Sequence, residues 1–84
     1  MKDVTIYMGL RCNFCDAAKR LLVRNNIPFK EINISLEEGK QEEMLSRSNG
    51  QRTIPQIFFN NLHVGGYQEL RELEKKGELL NLIK

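Results

Sequence analysis

Asp3-Val4-Thr5-Ile6-Tyr7-Met8-Gly9-Leu10-Arg11-Cys12-Asn13-Phe14-Cys15-Asp16-Ala17-Ala18-Lys19-Arg20-Leu21-Leu22 is where the chain changes from strand to helix. Residues 3–8 alternate, with Val4, Ile6 and Met8 on one face, the period of a strand. Gly9 breaks the run. Just past Cys12 the period lengthens: Phe14, Ala17, Ala18, Leu21 and Leu22 fall on one apolar stripe of a helix. Asn25 and Asn26 close that helix, and Pro28 confirms the stop.

Outward from this unit, residues 29–34 alternate again, with Ile32 and Ile34 opposite Glu31 and Asn33. Ser35 is read as the N-cap of a second helix running to about Arg47, with Glu37 and Glu38 in its first turn and Gly39 weakening its start. Residues 56–60 and 62–65 read as two strands joined by a tight turn at Asn60-Asn61, since asparagine tolerates positive φ. A third helix follows Gly65-Gly66, with Leu70 and Leu73 facing inward and Gly77 as its stop. Leu79, Leu80, Leu82 and Ile83 form an apolar segment that tucks the C-terminus onto the core. The order is β-α-β-α-β-β-α. A strand–helix–strand start implies a right-handed parallel crossover, and the hairpin adds an antiparallel pair. The expectation is an α/β fold: a four-stranded mixed sheet flanked by helices, one domain over residues 1–84.

Composition narrows the function classes. Thirteen basic and eleven acidic residues leave a net charge of +2, too little to argue for nucleic acid or an anionic membrane. No apolar run approaches the roughly 18 residues of a membrane helix, and the N-terminus has no secretory pattern. The reducing cytosol is the expected compartment, where two cysteines serve catalysis or a metal more often than a structural staple.

Cys12 and Cys15 stand where a strand ends and a helix begins. Three residues apart on a first helical turn, they share a face with Cα atoms about 5–6 Å apart, within disulfide range. Free N–H groups and the helix dipole stabilise an anion at Cys12, and Arg11 adds a positive charge. Thiolates in such settings have pKa values lowered to roughly 3.5–7.5 from about 8.5. Cys15, inside the turn and further from solvent, suits a resolving thiol. A zinc site would need about four ligands, and only one distant histidine and some carboxylates remain to supply them.

Thr53-Ile54-Pro55 lies directly before an apolar strand. A cis Ile54–Pro55 bond there makes a tight turn and leaves the Ile54 backbone open to an extended peptide. Gly65-Gly66 leads into a helix whose free N–H groups suit a carboxylate.

These three segments, Cys12-Asn13-Phe14-Cys15, Thr53-Ile54-Pro55-Gln56-Ile57-Phe58 and Gly65-Gly66-Tyr67-Gln68-Glu69-Leu70, resemble the signature segments of the glutaredoxins, in the family's order and spacing from Val4 to about Leu73. The resemblance implies a thioredoxin-like fold and reduction of protein disulfides and glutathione mixed disulfides. Glutathione is then the reducing co-substrate, no cofactor is tightly bound, and the protein is expected to be a monomer. It also implies Cys12 as attacking thiolate, Cys15 as resolving thiol, and Phe14 as a ring beside bound glutathione where the family usually has Tyr. Thr53 and Ile54 would pair with the cysteinyl backbone of glutathione, with Pro55 as the cis proline. Gly66, Tyr67 and Gln68 would bind the γ-glutamyl end.

Three positions depart from the pattern. Asn13 replaces the usual Pro, Gly9 a Lys, and Gln68 an Asp that often pairs with the glutathione amine. Arg11, Arg47 or Arg52 are candidates for the charge lost at Gly9. The departures leave two other readings: a donor reduced by thioredoxin reductase, for example for ribonucleotide reductase, and an iron–sulfur cluster carrier using the first Cys and glutathione. His63 is expected to point to solvent and is given no role. Residues 37–43 are expected to be a solvated helix face, and Met8, Met44, Phe58 and Phe59 to pack.

Overall fold

Strand β1 (Val4–Met8) is an inner strand, pairing in parallel with β2 (Lys30–Asn33) and antiparallel with β3 (Gln56–Phe59). β3 pairs antiparallel with β4 (Leu62–Gly65), giving the order β2-β1-β3-β4. The computed structural model describes residues 1–84. The expected mixed sheet is present, with β1 and β2 joined through helix α1 (Asn13–Arg24).

Both faces of the sheet are covered, as the period-2 pattern of its inner strands requires. Val4, Ile6, Ile57 and Phe59 join Ala18, Leu21 and Leu22 of α1 and Leu70 of α3 (Tyr67–Lys75) in the larger core. Tyr7, Ile32 and Phe58 point the other way, against Met44 of α2 (Lys40–Arg47). The adjacent pair Phe58 and Phe59 thus serves two cores. The C-terminal apolar segment is a short helix, α4 (Leu79–Ile83), which buries Leu79 and Ile83.

Helix α2 begins four residues later than an N-cap at Ser35 implies. Asn33 Oδ1 accepts the Ser35 N–H at 2.9 Å, a local turn that competes with helix. Gly39 then adopts φ +79° as the N-cap, a conformation natural to glycine that cannot lie within a helix. Glu37 and Glu38 consequently sit in a turn. Glu43 is no solvated bystander either: it accepts a hydrogen bond from the buried Tyr7 hydroxyl at 2.5 Å.

The β3–β4 turn has the expected form, with Asn60 at φ +52°. Register shifts between Ile57 and Phe58, so that Ile57 faces Gly65 while Phe58 faces His63. The irregularity leaves Val64 as the extra residue of a bulge.

Candidate active site

The loop after β1 turns through Arg11, whose φ of +54° is left-handed, and enters α1 at Cys12. Cys12 is the N-cap, in extended geometry, and its Sγ accepts the Cys15 N–H at 3.1 Å. The two cysteines form a disulfide with Cα atoms 5.1 Å apart, inside the span expected from their spacing. Their burial differs: Cys15 is fully buried, whereas Cys12 is partly open. On reduction, the N–H that faces Cys12 Sγ would stabilise a thiolate there. Of the two cysteines, Cys12 is therefore the one more accessible to an incoming group.

Across from Cys12, the carbonyl oxygen of Ile54 lies 3.8 Å from its sulfur. Ile54–Pro55 is cis, as the sequence suggested. The Ile54 N–H makes no backbone hydrogen bond, so it is open to an incoming strand. Gly66 brings α3 against this loop: a Cβ there would sit 3.3 Å from the Pro55 carbonyl oxygen.

Between these parts runs an open groove of about 180 Å³. Phe14, Thr53, Ile54, Pro55, Gly66, Tyr67 and Gln68 all line it, so the three segments converge as the sequence implied. Phe14 leaves the helical stripe assigned to it. It is 57% exposed and stacks on Tyr67 across the groove, with ring centroids 5.8 Å apart. Cys15 takes its place among the buried residues of α1. Arg11 is exposed beside Cys12 in the chain.

Glu69 also lines the groove, and sequence reasoning missed it. Its Oε1 accepts the Gly66 N–H at 2.6 Å, half of a capping box, because glycine has no side chain to return the bond. The signal was available as an acid three residues after the N-cap. Glu69 occupies one N–H of the α3 terminus and does not cap those of Tyr67 and Gln68.

Two expectations need correction. Arg47 belongs to the opposite face of the sheet, where it donates to the Tyr7 hydroxyl at 2.7 Å and to the Asn60 carbonyl at 2.9 Å. That leaves Arg11 and Arg52 as the unpaired candidates. His63 does not point to solvent. It stacks on Phe58 at 4.8 Å between centroids, and its Nε2 lies 2.6 Å from Gln56 Oε1. At Gly9, a Cβ would meet Ile54 Cδ1 at 2.8 Å, so Ile54 fills the space where a longer side chain would begin.

The glutaredoxin family model matches residues 4–64, which include the cysteine pair, the cis-proline loop and all of the hairpin but Gly65. The chain belongs to the glutaredoxin family. It is 40% identical to glutaredoxin 3 of Escherichia coli (strain K12) over the full length of both chains. Among solved structures, glutaredoxin from Brucella melitensis is 44% identical, with a TM-score of 0.85 covering all of this chain and 90% of that one. A buckwheat glutaredoxin–glutathione complex is 25% identical, with a TM-score of 0.86 over 98% of this chain and 76% of its own. This glutaredoxin is therefore of a thiol oxidoreductase class, with the thioredoxin-like fold and a redox-active cysteine pair.

Proposed function

We propose that this glutaredoxin reduces protein disulfides and glutathione mixed disulfides, with glutathione as electron source. The observation that carries the reading is the groove, which opens beside Cys12 and presents the free Ile54 N–H on one wall and the α3 terminus on the other. A tripeptide with a central cysteine needs these features: strand pairing at the middle, and N–H groups for a terminal carboxylate. At about 180 Å³ the groove is smaller than the roughly 300–1,000 Å³ of enclosed small-molecule sites. It suits a ligand that is held at its edges and released. The buckwheat relative, solved with glutathione, supports the assignment.

In the proposed cycle the Cys12 thiolate attacks a substrate sulfur, forming one S–S bond as the substrate S–S bond breaks. The departing thiolate takes a proton from solvent. With a protein disulfide, Cys15 loses its proton and attacks Cys12 Sγ, expelling the reduced substrate and leaving Cys12–Cys15 oxidised. Two glutathione molecules then restore the dithiol and leave as glutathione disulfide. With a glutathionylated protein, a second glutathione resolves the Cys12–glutathione bond directly. Phe14, Thr53, Ile54 and Pro55 would hold the cysteinyl part of glutathione, and Gly66, Tyr67 and Gln68 its γ-glutamyl end. Arg11 supplies positive charge beside the nucleophile. The protein acts as a monomer, and the reducing cytosol is the compartment that suits this chemistry.

The test is a pair of variants in a glutathione-coupled assay. Cys12→Ser is expected to lose all activity. Cys15→Ser is expected to keep removal of glutathione from mixed disulfides and lose dithiol reduction of protein disulfides. A fully active Cys12→Ser protein would overturn the proposal.

A further inference from the structure

Gln56 and Ser48 are the only buried polar side chains outside the ring hydroxyl of Tyr7, and Gln56 is 1% exposed. Burying an amide is costly unless its bonds are made, and here they all run in one direction. Gln56 Nε2 donates to the Thr53 carbonyl at 2.9 Å and to Thr53 Oγ1 at 3.1 Å. A carbonyl oxygen only accepts, so the amide nitrogen must face Thr53 and Oε1 must face His63. His63 Nε2, 2.6 Å from that oxygen, therefore carries the proton. Stacking on Phe58 holds the ring in place. Donors thus run in sequence from His63 on β4, through Gln56 on β3, to Thr53 in the groove. At the end of the chain the Thr53 hydroxyl is the acceptor, which leaves its own proton to donate into the groove that Thr53 lines.

We infer that Gln56 is a positioning residue for the proposed reaction: backed by His63, it fixes the Thr53 hydroxyl as an oriented donor toward the ligand's backbone or carboxylate oxygen. The inference rests on reading the groove as the glutathione site. His63, which does not line the groove, acquires a role through two other side chains and touches no substrate.

Steady-state kinetics with a glutathionylated peptide test it, on wild type, Thr53→Val, Gln56→Met, Gln56→Glu and the Thr53→Val/Gln56→Met double variant. Gln56→Met should raise KM about fivefold, the worth of one net hydrogen bond, with kcat within about twofold of wild type. Thr53→Val should do the same, and the double variant should be no worse than the more affected single one. Gln56→Glu keeps an acceptor for His63 but has no N–H for Thr53, so its KM should rise like that of Gln56→Met. Should either Gln56 variant fail to fold, Thr53→Val and His63→Phe, both at more exposed positions, carry the same non-additivity test. Unchanged KM in Gln56→Met, or additive effects in either pair, overturns the inference. No turnover of the peptide by wild type would instead overturn the glutathione reading, and the inference with it.

Discussion

At position 14 a helical stripe and the groove make opposite demands on one side chain. Spacing alone puts Phe14 in line with Ala18, Leu21 and Leu22, yet its ring is 57% exposed and lies over Tyr67. Cys15, one residue on, is the buried member of that first turn and completes the inward face with Ala18, Leu21 and Leu22, which leaves Phe14 at its edge, lining the groove. An exposed aromatic pair of this kind contributes about 0.5–1.5 kcal/mol at most. Phe14→Ala should therefore lower the melting temperature only slightly, while raising KM for glutathionylated peptide several-fold at nearly constant kcat. Thermal unfolding and steady-state kinetics on one preparation check both halves. The cysteines and the cis proline were legible because their chemistry is written in residue type and spacing. His63 was not: its environment depends on the bulge at Val64 and on Phe58 from another strand, which alternation within its own strand does not encode.

Elements show the same division between local and long-range causes. β1, α1 and the hairpin were legible because each has a clear period and a strong stop. The start of α2 was not, because the Asn33 side chain holds Ser35 in a local turn and the N-cap falls at Gly39, which the sequence marked only as weakening the helix start. Contacts between elements are also invisible in a period. Arg24 near the end of α1 grips Glu74 on α3 with two hydrogen bonds of 2.9 and 2.7 Å, and Asn25 adds a third at 2.7 Å. The Arg24 guanidinium and the Asn25 amide hold the Glu74 carboxyl at a pKa of about 2, below its ordinary 4.5. Its folded-state pKa is depressed, so this contribution is complete above about pH 4.5 and drains away as pH falls toward 2. Glu43 acts in the same sense, its carboxyl lowered by hydrogen bonds from Tyr7 and Lys40. Glu74→Gln should cost about 1 kcal/mol at neutral pH, a drop of roughly 4–8 °C in melting temperature. Urea titrations should find the variant approaching wild-type stability as pH falls from 4.5 to 2. An equal gap at all pH values would show that the clamp contributes through packing and not through charge.

For the whole molecule, the sheet separates the site from the chain ends. Cys12 follows the last residue of β1, whereas the α4 contacts gather before its first. Lys2 N–H donates to the Ile83 carbonyl and Lys2 Nζ to the Leu82 carbonyl, each at 2.6 Å. Ile83 meanwhile buries its side chain, 1% exposed, beside Leu79 in the larger core. Five residues of strand at about 3.3 Å each put roughly 16 Å between this closure and the Cys12 loop. Stability and chemistry should therefore come apart here. Ile83→Ala removes buried methyl groups at a cost of about 2–5 kcal/mol, a large part of the roughly 5–15 kcal/mol that holds a domain together. The melting temperature should fall by at least about 8 °C. Below that transition, kcat and KM should stay within about twofold of wild type, because neither the groove nor the cysteine turn touches α4. Activity per folded molecule, with the folded fraction read from circular dichroism at the assay temperature, checks the separation. A loss of activity beyond the loss of folded protein would mean that α4 reaches the groove, for which α3, packed against it, is the direct route.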